Sequence, residues 1–402
     1  MSRLTPLGDS HNFGRRVELR GARVLKPRAL LWEELLLSSE SPLRRLLDAH
    51  AERSGLGEAW FGFLPSLRFF RPRSPASHAV GGEVEKLELA PLPRLSVAKR
   101  RELASIVGRG LSLFSWLGLS DLHWENLVLG RDARARTIFG PVDVEMILAD
   151  LSRPTETKLL PDADPEYAAI CQHASGVRRV LPYLGKPIDP DDVLLMAEAY
   201  LTTLSFLERN AEAIARVFAA LPAMRETPIR ICLRGTEEYV RANVEPLWPP
   251  LLDEEAEQLA RGDIPYFFRF YGRRGIHYYA DPGLRTTRRL PLQGDVPQLD
   301  PMLSLARGLR SPNRNKLREE GLFTLLGAFD DASFSGEHAN DALSVTFRVR
   351  SLLVSLPSGE VLRSRRDLSA FVNSVYLPCR CGEVRSVFVP AVTQCGIAAR
   401  AV

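Results

Sequence analysis

The feature that most constrains the fold of this chain is an apolar segment at residues 97–118 that leads directly into a polar string. The spacing of its apolar residues predicts a buried helix that ends at Gly118. The polar string occupies 120–126, and a second polar string at 141–145 is interleaved with two valines. The apolar residues 127–129 and those two valines predict two short strands that would present both strings together.

The two polar strings carry the residue types that phosphoryl transfer needs. That reaction uses one carboxylate to orient the acceptor hydroxyl, and an asparagine and a second aspartate to hold Mg²⁺ on the nucleotide phosphates. Asp121, Asn126 and Asp143 would supply this set. The spacing Asp-x-His-x-x-Asn is more typical of lipid kinases than of protein kinases, which carry His-Arg-Asp. For the first string alone, an ordinary polar helix end is the alternative.

A candidate phosphate-binding region lies near the start of the chain. Residues 8–15 are rich in turn-forming types, and residues 15–27 alternate around Gly21 like two strands joined by a turn. Lys26, one of only six lysines in the chain, lies at the end of the second predicted strand. A turn with free N–H groups can approach phosphates, and a lysine on a strand can neutralise their charge. Taken alone, the turn is more typical of an ordinary loop.

A third string, at 230–239, carries two arginines four residues apart and a threonine two residues further on. Arg230, Arg234 and Thr236 would together form a grip for a phosphate group. The alternative for this string by itself is a strand edge that carries arginines without binding a phosphate.

Length and composition limit the classes of protein to which the chain can belong. Its 402 residues predict two or three domains, and 45% hydrophobic with 25% charged residues is typical of a globular chain. We find no apolar run long enough to span a membrane and no signal-peptide core, and therefore predict a soluble cytoplasmic protein. The net charge of +4 gives no reason to expect nucleic-acid binding. The five cysteines are too few, and odd in number, for a disulfide framework.

In this order, the strings resemble the dehydratase domain of class II lanthipeptide synthetases. That family shows Gly-Asp-x-His-x-x-Gly, Lys-Pro-Arg, Asp-Leu-His-x-Glu-Asn, Asp-x-Glu and Arg-x-x-x-Arg-x-Thr, and all five occur here between residues 8 and 236. A later Gly-Asp-Ile-Pro-Tyr-Phe at 262–267 also matches, so that the resemblance covers residues 8 to about 270.

The resemblance implies a two-lobed, lipid-kinase-like α+β fold. Residues 343–402 do not match the family, and their strand-like alternation predicts a small β-rich C-terminal extension. The implied activity is ATP- and Mg²⁺-dependent phosphorylation of Ser or Thr in a ribosomally made precursor peptide. Elimination of the phosphate would follow and leave dehydroalanine or dehydrobutyrine. The predicted regions are 1–95 (N-lobe with phosphate loop and lysine), 96–280 (C-lobe with catalytic loop, metal-binding strand and elimination elements), 281–342 (linker or helical segment) and 343–402 (extension of unknown role).

The resemblance also implies roles for individual residues. Lys26 and Gly14 would bind the nucleotide. Asn126 and Asp143 would hold its metal and so also contact the cofactor. Asp121, with His123, would activate the acceptor hydroxyl. The residues that would serve or support elimination are Asp9, His11, Glu145, Arg230 and Thr236. Elimination needs a cation for the leaving phosphate and a base for the Cα proton, and these roles suit Arg230 and His11.

The chain begins almost at the first motif, and we find no match to the zinc-binding pattern of the family's cyclase domain. Cys379, Cys381 and Cys395 provide only three thiols, which is a weak zinc set. We therefore expect a stand-alone dehydratase whose partners are a precursor peptide and a separate cyclase or other tailoring enzyme, with no nucleic-acid or membrane partner. Two alternatives stay open: a kinase that stops at phosphorylation, and a non-catalytic binding module that keeps the fold.

Overall fold

A computed structural model describes residues 5–291 with gaps at 58, 71–80, 150, 152, 161–174, 186–189, 243, 248–249, 272 and 274, together with Leu317 and six strands between 342 and 400. Helices and antiparallel sheets are both present, which confirms the mixed α+β class predicted from the sequence. A cluster of buried apolar side chains runs through the described helices and the strands that pack on them. Among the described helices, none is long and apolar enough to cross a membrane.

The first sheet has five antiparallel strands in the order β1-β2-β3-β5-β4. Its strands are β1 Thr5–His11, β2 Arg15–Arg20, β3 Arg23–Lys26, β4 Phe69–Phe70 and β5 Gly82–Glu85. The pairing of β2 with β3 around Gly21 confirms the predicted strand, turn and strand, and Lys26 ends β3. The predicted turn at 8–15 is wrong for residues 8–11, which belong to β1. A bulge between Leu7 and His11 changes the direction of the side chains there.

The helices of the described residues fall in three parts of the chain. They are α1 Leu31–Leu37, α2 Pro42–Arg53, α3 Val97–Leu117, α4 Leu181–Leu184, α5 Pro190–Arg209, α6 Ala211–Ala219, α7 Thr236–Arg241 and α8 Asp253–Ala260, with 3₁₀ turns at Pro154–Thr157, Gly176–Arg179 and Pro222–Arg225. Apolar residues recur at helical spacing over 29–53, and this segment forms α1 and α2, which are separate because Ser41 caps the start of α2. α5 and α6 follow each other closely, and the second of them ends before Pro222.

The buried helix predicted at 97–118 is confirmed as α3. Ser96 caps its N-terminus, and Gly118 ends it in the left-handed conformation with a φ of +66°. The helix is apolar because it packs on α5. At Gly108 the contact is so close that a Cβ would lie 2.1 Å from the carbonyl oxygen of Met196.

Replacing Gly118 with alanine should strongly lower the free energy of unfolding. A Cβ there would lie 2.2 Å from the carbonyl oxygen of Ala149, in addition to the strain of a positive φ. We expect a loss of at least about 4 kcal/mol in the free energy of unfolding, measured by urea titration. Gly21→Ala is the matched control, since its φ is +58° and no atom lies within 4 Å of its Cβ. It should lose only about 1–2 kcal/mol, and equal losses in both variants would contradict the crowding at Gly118.

The polar string at 120–126 leads into a hairpin of β6 Leu127–Arg131 and β7 Thr137–Pro141. Val142 and Val144 come after β7, so the prediction that they lie on the second strand is wrong. Pro141 has no N–H to continue the ladder, which explains why the strand ends there. The N–H of Val142 instead donates to the carbonyl oxygen of Asn126 at 3.0 Å, and this bond holds the two polar strings side by side.

A second sheet, of order β11-β10-β9-β8, carries the third string. Its strands are β8 Pro228–Ile231, β9 Phe267–Phe270, β10 His277–Tyr279 and β11 Thr287–Arg289. Arg230 lies on β8 and pairs with Phe268 on β9. β11 falls in the segment 281–342, which the sequence predicted as a linker or helical segment. Apart from Leu317, residues 292–341 of that segment lie outside the described residues.

Strands dominate the described part of the C-terminal extension, as predicted. They are β12 Ala342–Arg348, β13 Ser351–Ser355, β14 Val361–Arg363, β15 Ser374–Pro378, β16 Val384–Phe388 and β17 Gln394–Arg400. They form a sheet of order β14-β13-β12-β17 and a hairpin of β15 and β16. β12 and β13 pair as antiparallel neighbours. Cys379 and Cys381 lie outside the described residues.

Candidate active site

A buried lysine–glutamate pair links the first sheet to the second polar string. Lys26, at the end of β3, donates from Nζ to both carboxylate oxygens of Glu33 on α1, at 2.9 and 3.0 Å. The same Nζ donates to the carbonyl oxygen of Val142 at 2.7 Å. Burying two charges is costly unless their hydrogen bonds are satisfied, and here all three donated bonds are short and direct. Lys26 is therefore bound to the residue that precedes Asp143.

Arg28 lies at the centre of the site, and sequence analysis assigned it no role. Its guanidinium donates to Glu33 and, at 2.5 Å, to Oδ1 of Asp143. Its Nε lies 3.2 Å from Oε2 of Glu145. The side chain is only 11% exposed. One buried cation thus contacts three carboxylates, and these charges hold the pKa of Arg28 above its ordinary value despite its burial.

Asp121 lies at the start of the first polar string in a strained backbone conformation, with a φ of +65°. Asn126 donates from Nδ2 to the backbone oxygen of Asp121 at 2.9 Å and to its Oδ2 at 3.2 Å. His123 Nε2 lies 4.0 Å from the same Oδ2. The predicted catalytic loop therefore does bring its three polar side chains together, with Asp121 in the middle.

Lys158 is a second residue that sequence analysis missed. It follows the 3₁₀ turn Pro154–Thr157 and also has a positive φ, of +63°. Its Nζ lies 3.0 Å from Oδ1 of Asp121. Burial by itself would raise the pKa of Asp121, but the charges of Lys158, His123 and Arg230 outweigh burial and lower it. Asp121 is therefore ionised at neutral pH and can accept a hydrogen bond from a hydroxyl.

The residues predicted to hold a metal offer two oxygen atoms that would suit Mg²⁺. Within the described part of the chain, Oδ1 of Asn126 and Oδ2 of Asp143 accept no hydrogen bond. No set of three or more His, Cys, Asp or Glu side chains suited to a metal occurs there either. Mg²⁺ usually binds one or two carboxylates and completes its shell with phosphate oxygens and water. Two protein oxygens, one of them a carboxylate oxygen, would fit that pattern.

A second cluster adjoins Arg28 and contains the residues predicted for elimination. Arg230 on β8 donates to Oε1 of Glu145 at 2.5 Å, and its guanidinium lies 5.3 Å from the centre of the Tyr266 ring. Tyr266 donates from its hydroxyl to Oε2 of Glu145 at 3.3 Å. Burial alone would raise the pKa of Glu145, but Arg230 and Arg28 lower it to about 2.

His11, on β1, completes this second cluster, and its ring centre lies 5.8 Å from that of Tyr266. Its Nδ1 lies 2.8 Å from the carbonyl oxygen of Ile264. Because a carbonyl only accepts, Nδ1 carries the proton and Nε2 of the neutral ring has a free lone pair. Burial, together with the charge of Arg230, lowers the pKa of His11 below 6.5. The imidazole is therefore neutral at pH 7 and able to accept a proton.

The turn after β1 does not have the free N–H groups that the sequence suggested. The N–H groups of Phe13 and Gly14 donate to the carboxylate of Asp263 at 2.7 and 2.8 Å. Ser10 donates to the same carboxylate at 2.9 Å. Asp263 is buried and belongs to the matching string at 262–267, and these donors satisfy its carboxylate oxygens. The N–H of Gly14 is thus bound to Asp263 in this structure, which corrects the interpretation of this turn.

The third string does not act as a single grip. Arg234 is buried and binds Glu255 at 3.1 Å, so the prediction that Arg230 and Arg234 act together is wrong. The chain leaves β8 after Ile231, and strand alternation no longer directs residue 234 to the side of residue 230. Thr236 is exposed at the start of α7, and its hydroxyl makes no hydrogen bond with the described residues. Asp9 is also exposed, and its charge acts on His11 from outside the cluster.

The low pKa of Glu145 predicts a pH dependence of stability. A carboxylate whose pKa falls from 4.5 unfolded to about 2 folded stabilises the fold above pH 4.5 and loses this effect as the pH falls towards 2. The gap in unfolding free energy between wild type and Glu145→Gln should therefore shrink by about 2 kcal/mol between pH 7 and pH 3. For Glu102→Gln, which removes an exposed ion pair with Lys99, the gap should stay small and constant. A gap for Glu145→Gln that does not change with pH would contradict the low pKa of Glu145 in the folded chain.

No protein-family model matches this sequence, and no curated protein matches it. The basis for a functional proposal is therefore the geometry of the two clusters. The first cluster is formed by Lys26, Asp121, Asn126 and Asp143, and the second by His11, Glu145, Arg230 and Tyr266. Arg28 joins them, because it contacts Asp143 of the first and Glu145 of the second.

Proposed function

We propose that this chain is an ATP-dependent peptide Ser/Thr dehydratase with a lipid-kinase-like fold of two lobes. It would phosphorylate a side-chain hydroxyl and then eliminate the phosphate to leave dehydroalanine or dehydrobutyrine. The observation that carries the proposal is the joining of two clusters by one cation. A set suited to phosphoryl transfer and a set suited to phosphate elimination both contact Arg28, through Asp143 and Glu145. Their adjacency would allow both steps at one site.

The phosphoryl-transfer half of the proposal is supported by the pairing of Lys26 with Glu33. In protein kinases a lysine on the third strand pairs with a helix glutamate and reaches the nucleotide phosphates. Here a lysine on β3 pairs with a glutamate on α1 in the same way, at 2.9 Å. This likeness supports a nucleotide site at Lys26, with ATP as the phosphoryl donor.

In the first step, Asp121 would orient the substrate hydroxyl and accept its proton as the phosphoryl group is transferred. Its ionised state, which Lys158 maintains, suits that role. Magnesium, held by Asn126 and Asp143, would supply positive charge for the nucleotide phosphates. Lys158 is half-exposed beside Asp121 and would place a second positive charge near the transferred group.

In the second step, the Cα–H bond and the bond from Cβ to the phosphate oxygen of the modified residue both break. His11 would take the Cα proton at Nε2, the electron pair of that bond would form the Cα–Cβ double bond, and phosphate would leave with the electrons of the C–O bond. Arg230 would bind the leaving phosphate, whose negative charge grows as the bond breaks. Glu145 and Tyr266 position Arg230 for this role.

The main alternative is a kinase that stops at phosphorylation of a peptide, protein or small molecule. The exposed position of Thr236, away from the hydrogen bonds of the second cluster, is the observation that favours it. A non-catalytic binding module is a third candidate. It does not account for the ionised Asp121 beside two available metal-binding oxygens.

Intact-mass analysis of a small Ser/Thr-containing peptide encoded beside this chain, after co-expression with it, tests the proposal. Dehydration removes about 18 Da per residue and phosphorylation adds about 80 Da. Mass loss that depends on this chain supports the dehydratase. Mass gain without loss supports the kinase, and an unchanged peptide with no nucleotide binding supports the binding module. If the dehydrated peptide then adds an external thiol and a reductant does not remove the adduct, the dehydrated residue is an alkene. Addition of a thiol to that alkene is the reaction that would be left to a separate cyclase.

A further inference from the structure

We propose that Arg28 is a positioning residue that occupies the metal-binding carboxylate of Asp143 until a divalent cation displaces it. This inference rests on the proposed function, because it assumes that Asp143 holds the metal of the phosphoryl-transfer step. It goes beyond that function by assigning a role to Arg28 and by linking metal binding to the elimination cluster.

The contacts of Arg28 place it on the carboxylate that a metal would need. Its terminal nitrogen lies 2.5 Å from Oδ1 of Asp143, which is shorter than an ordinary charge-assisted hydrogen bond. The side chain of Asp143 is 26% exposed, whereas Glu145 is 15% and Glu33 is 1% exposed. Of the three carboxylates in contact with Arg28, Asp143 is therefore the one most accessible to a cation from solvent.

The charge balance shows why the two cations exclude each other. The buried network has three cations, Lys26, Arg28 and Arg230, and three carboxylates, Glu33, Asp143 and Glu145. The network is neutral as it stands. A divalent cation at Asp143 would add two positive charges within a few ångströms of Arg28, where repulsion is strong because little water screens it. Arg28 would then give up Asp143.

Arg28 keeps two carboxylate partners when it leaves Asp143, so the movement leaves no unpaired buried charge. Glu33 and Glu145 are already in contact with it. Glu145 is shared between Arg28 and Arg230, whose nitrogens bind opposite oxygens of the carboxylate. A stronger contact of Arg28 with Glu145 would weaken the hold of Glu145 on Arg230. Arg230 would then be freer to bind phosphate after the metal has bound.

The test measures binding of Mn²⁺ alone, by electron paramagnetic resonance, to the full chain without nucleotide or peptide. Mn²⁺ has the oxygen-ligand preference of Mg²⁺ and is directly observable. Arg28→Gln removes the competing charge and should bind Mn²⁺ about 10- to 100-fold more tightly than the wild type, the effect of losing one charge-assisted bond. Arg28→Lys, which keeps a cation beside Asp143, should stay within a few-fold of the wild type.

Two further variants make the result specific. Arg230→Gln also removes one buried cation, but from Glu145 only. Because Glu145 can then hold Arg28 more strongly, the Mn²⁺ affinity should rise, but by less than in Arg28→Gln. Asp143→Asn should abolish the binding. Unchanged or weaker binding in Arg28→Gln, with binding lost in Asp143→Asn, would overturn the role of Arg28 and leave the proposed metal site intact. Binding that survives Asp143→Asn would overturn the metal site, and the role of Arg28 with it.

A structure of the wild-type chain with Mn²⁺ bound tests the same inference without relying on the folding of a variant. The guanidinium of Arg28 should have moved out of hydrogen-bond range of Asp143 while it keeps Glu33 and Glu145. An unchanged 2.5 Å contact beside a bound metal would contradict the displacement. If the peptide assay shows no modification while the Mn²⁺ results hold, the dehydratase proposal fails and the competition between Arg28 and the metal stands.

Discussion

Asp121→Asn and Asp143→Ala should each remove all ATP-dependent modification of the peptide. In the first variant the acceptor hydroxyl would lose the ionised group that we propose to take its proton, and the bond to Lys158 loses its charge. In the second, the metal loses its carboxylate ligand and Arg28 loses one of its three partners. The expected loss is at least about 10³-fold in rate, which intact-mass analysis would register as unmodified peptide.

The control for these variants is Asp253→Asn, an exposed carboxylate at the start of α8. It should leave both modification and stability close to those of the wild type. Circular dichroism and urea unfolding should show that Asp121→Asn is folded, because asparagine, like aspartate, tolerates the positive φ at this position. Undiminished product from a folded Asp121→Asn or Asp143→Ala variant would refute the kinase step.

Arg230→Ala should leave phosphorylation largely intact and block elimination. The first cluster holds the donor side through Lys26 and Asp143, whereas Arg230 lies in the second cluster against Glu145 and Tyr266. Losing a charge-assisted contact to the leaving phosphate should slow elimination by at least about 10- to 100-fold. Phosphorylated peptide should therefore accumulate, with a mass gain in place of the mass loss.

Two measurements separate this result from a general loss of structure. Arg230→Lys keeps a cation that can pair with Glu145 and should eliminate faster than Arg230→Ala. Supplying the peptide already phosphorylated bypasses the first step, and the alanine variant should fail on it as well. If Arg230→Ala instead abolishes phosphorylation as completely as Asp121→Asn, Arg230 belongs to nucleotide binding or to folding. If the wild type converts a genuine substrate to phosphopeptide and no further, the plain kinase is the function.

Local patterns were read correctly from the sequence where one segment contains all the information. The helix α3 was predicted because its apolar spacing and the closing Gly118 both lie within 97–118. The hairpin of β2 and β3 was predicted because Gly21 supplies the positive φ of its turn. The errors fall where a distant partner decides. The turn after β1 was expected to have free N–H groups, but Asp263, about 250 residues away, accepts them.

The sequence by itself determined which residue types are present and in which order, and this order was enough to select Asp121, Asn126, Asp143 and Arg230 as candidate site residues. Only the tertiary structure decided which charges face each other. Arg234 and Arg230 look equivalent in the sequence, yet the chain leaves β8 between them, and each binds a different carboxylate.

The clearest decision of this kind concerns Arg28. Its position two residues after Lys26 indicates no partner, because Asp143 and Glu145 lie more than a hundred residues further along the chain. In the folded chain, burial removes the water that would otherwise screen these charges, so each cation must be matched by nearby carboxylates. This requirement acts only once β3, α1 and the string after β7 have packed together. It then places the guanidinium of Arg28 between the two clusters.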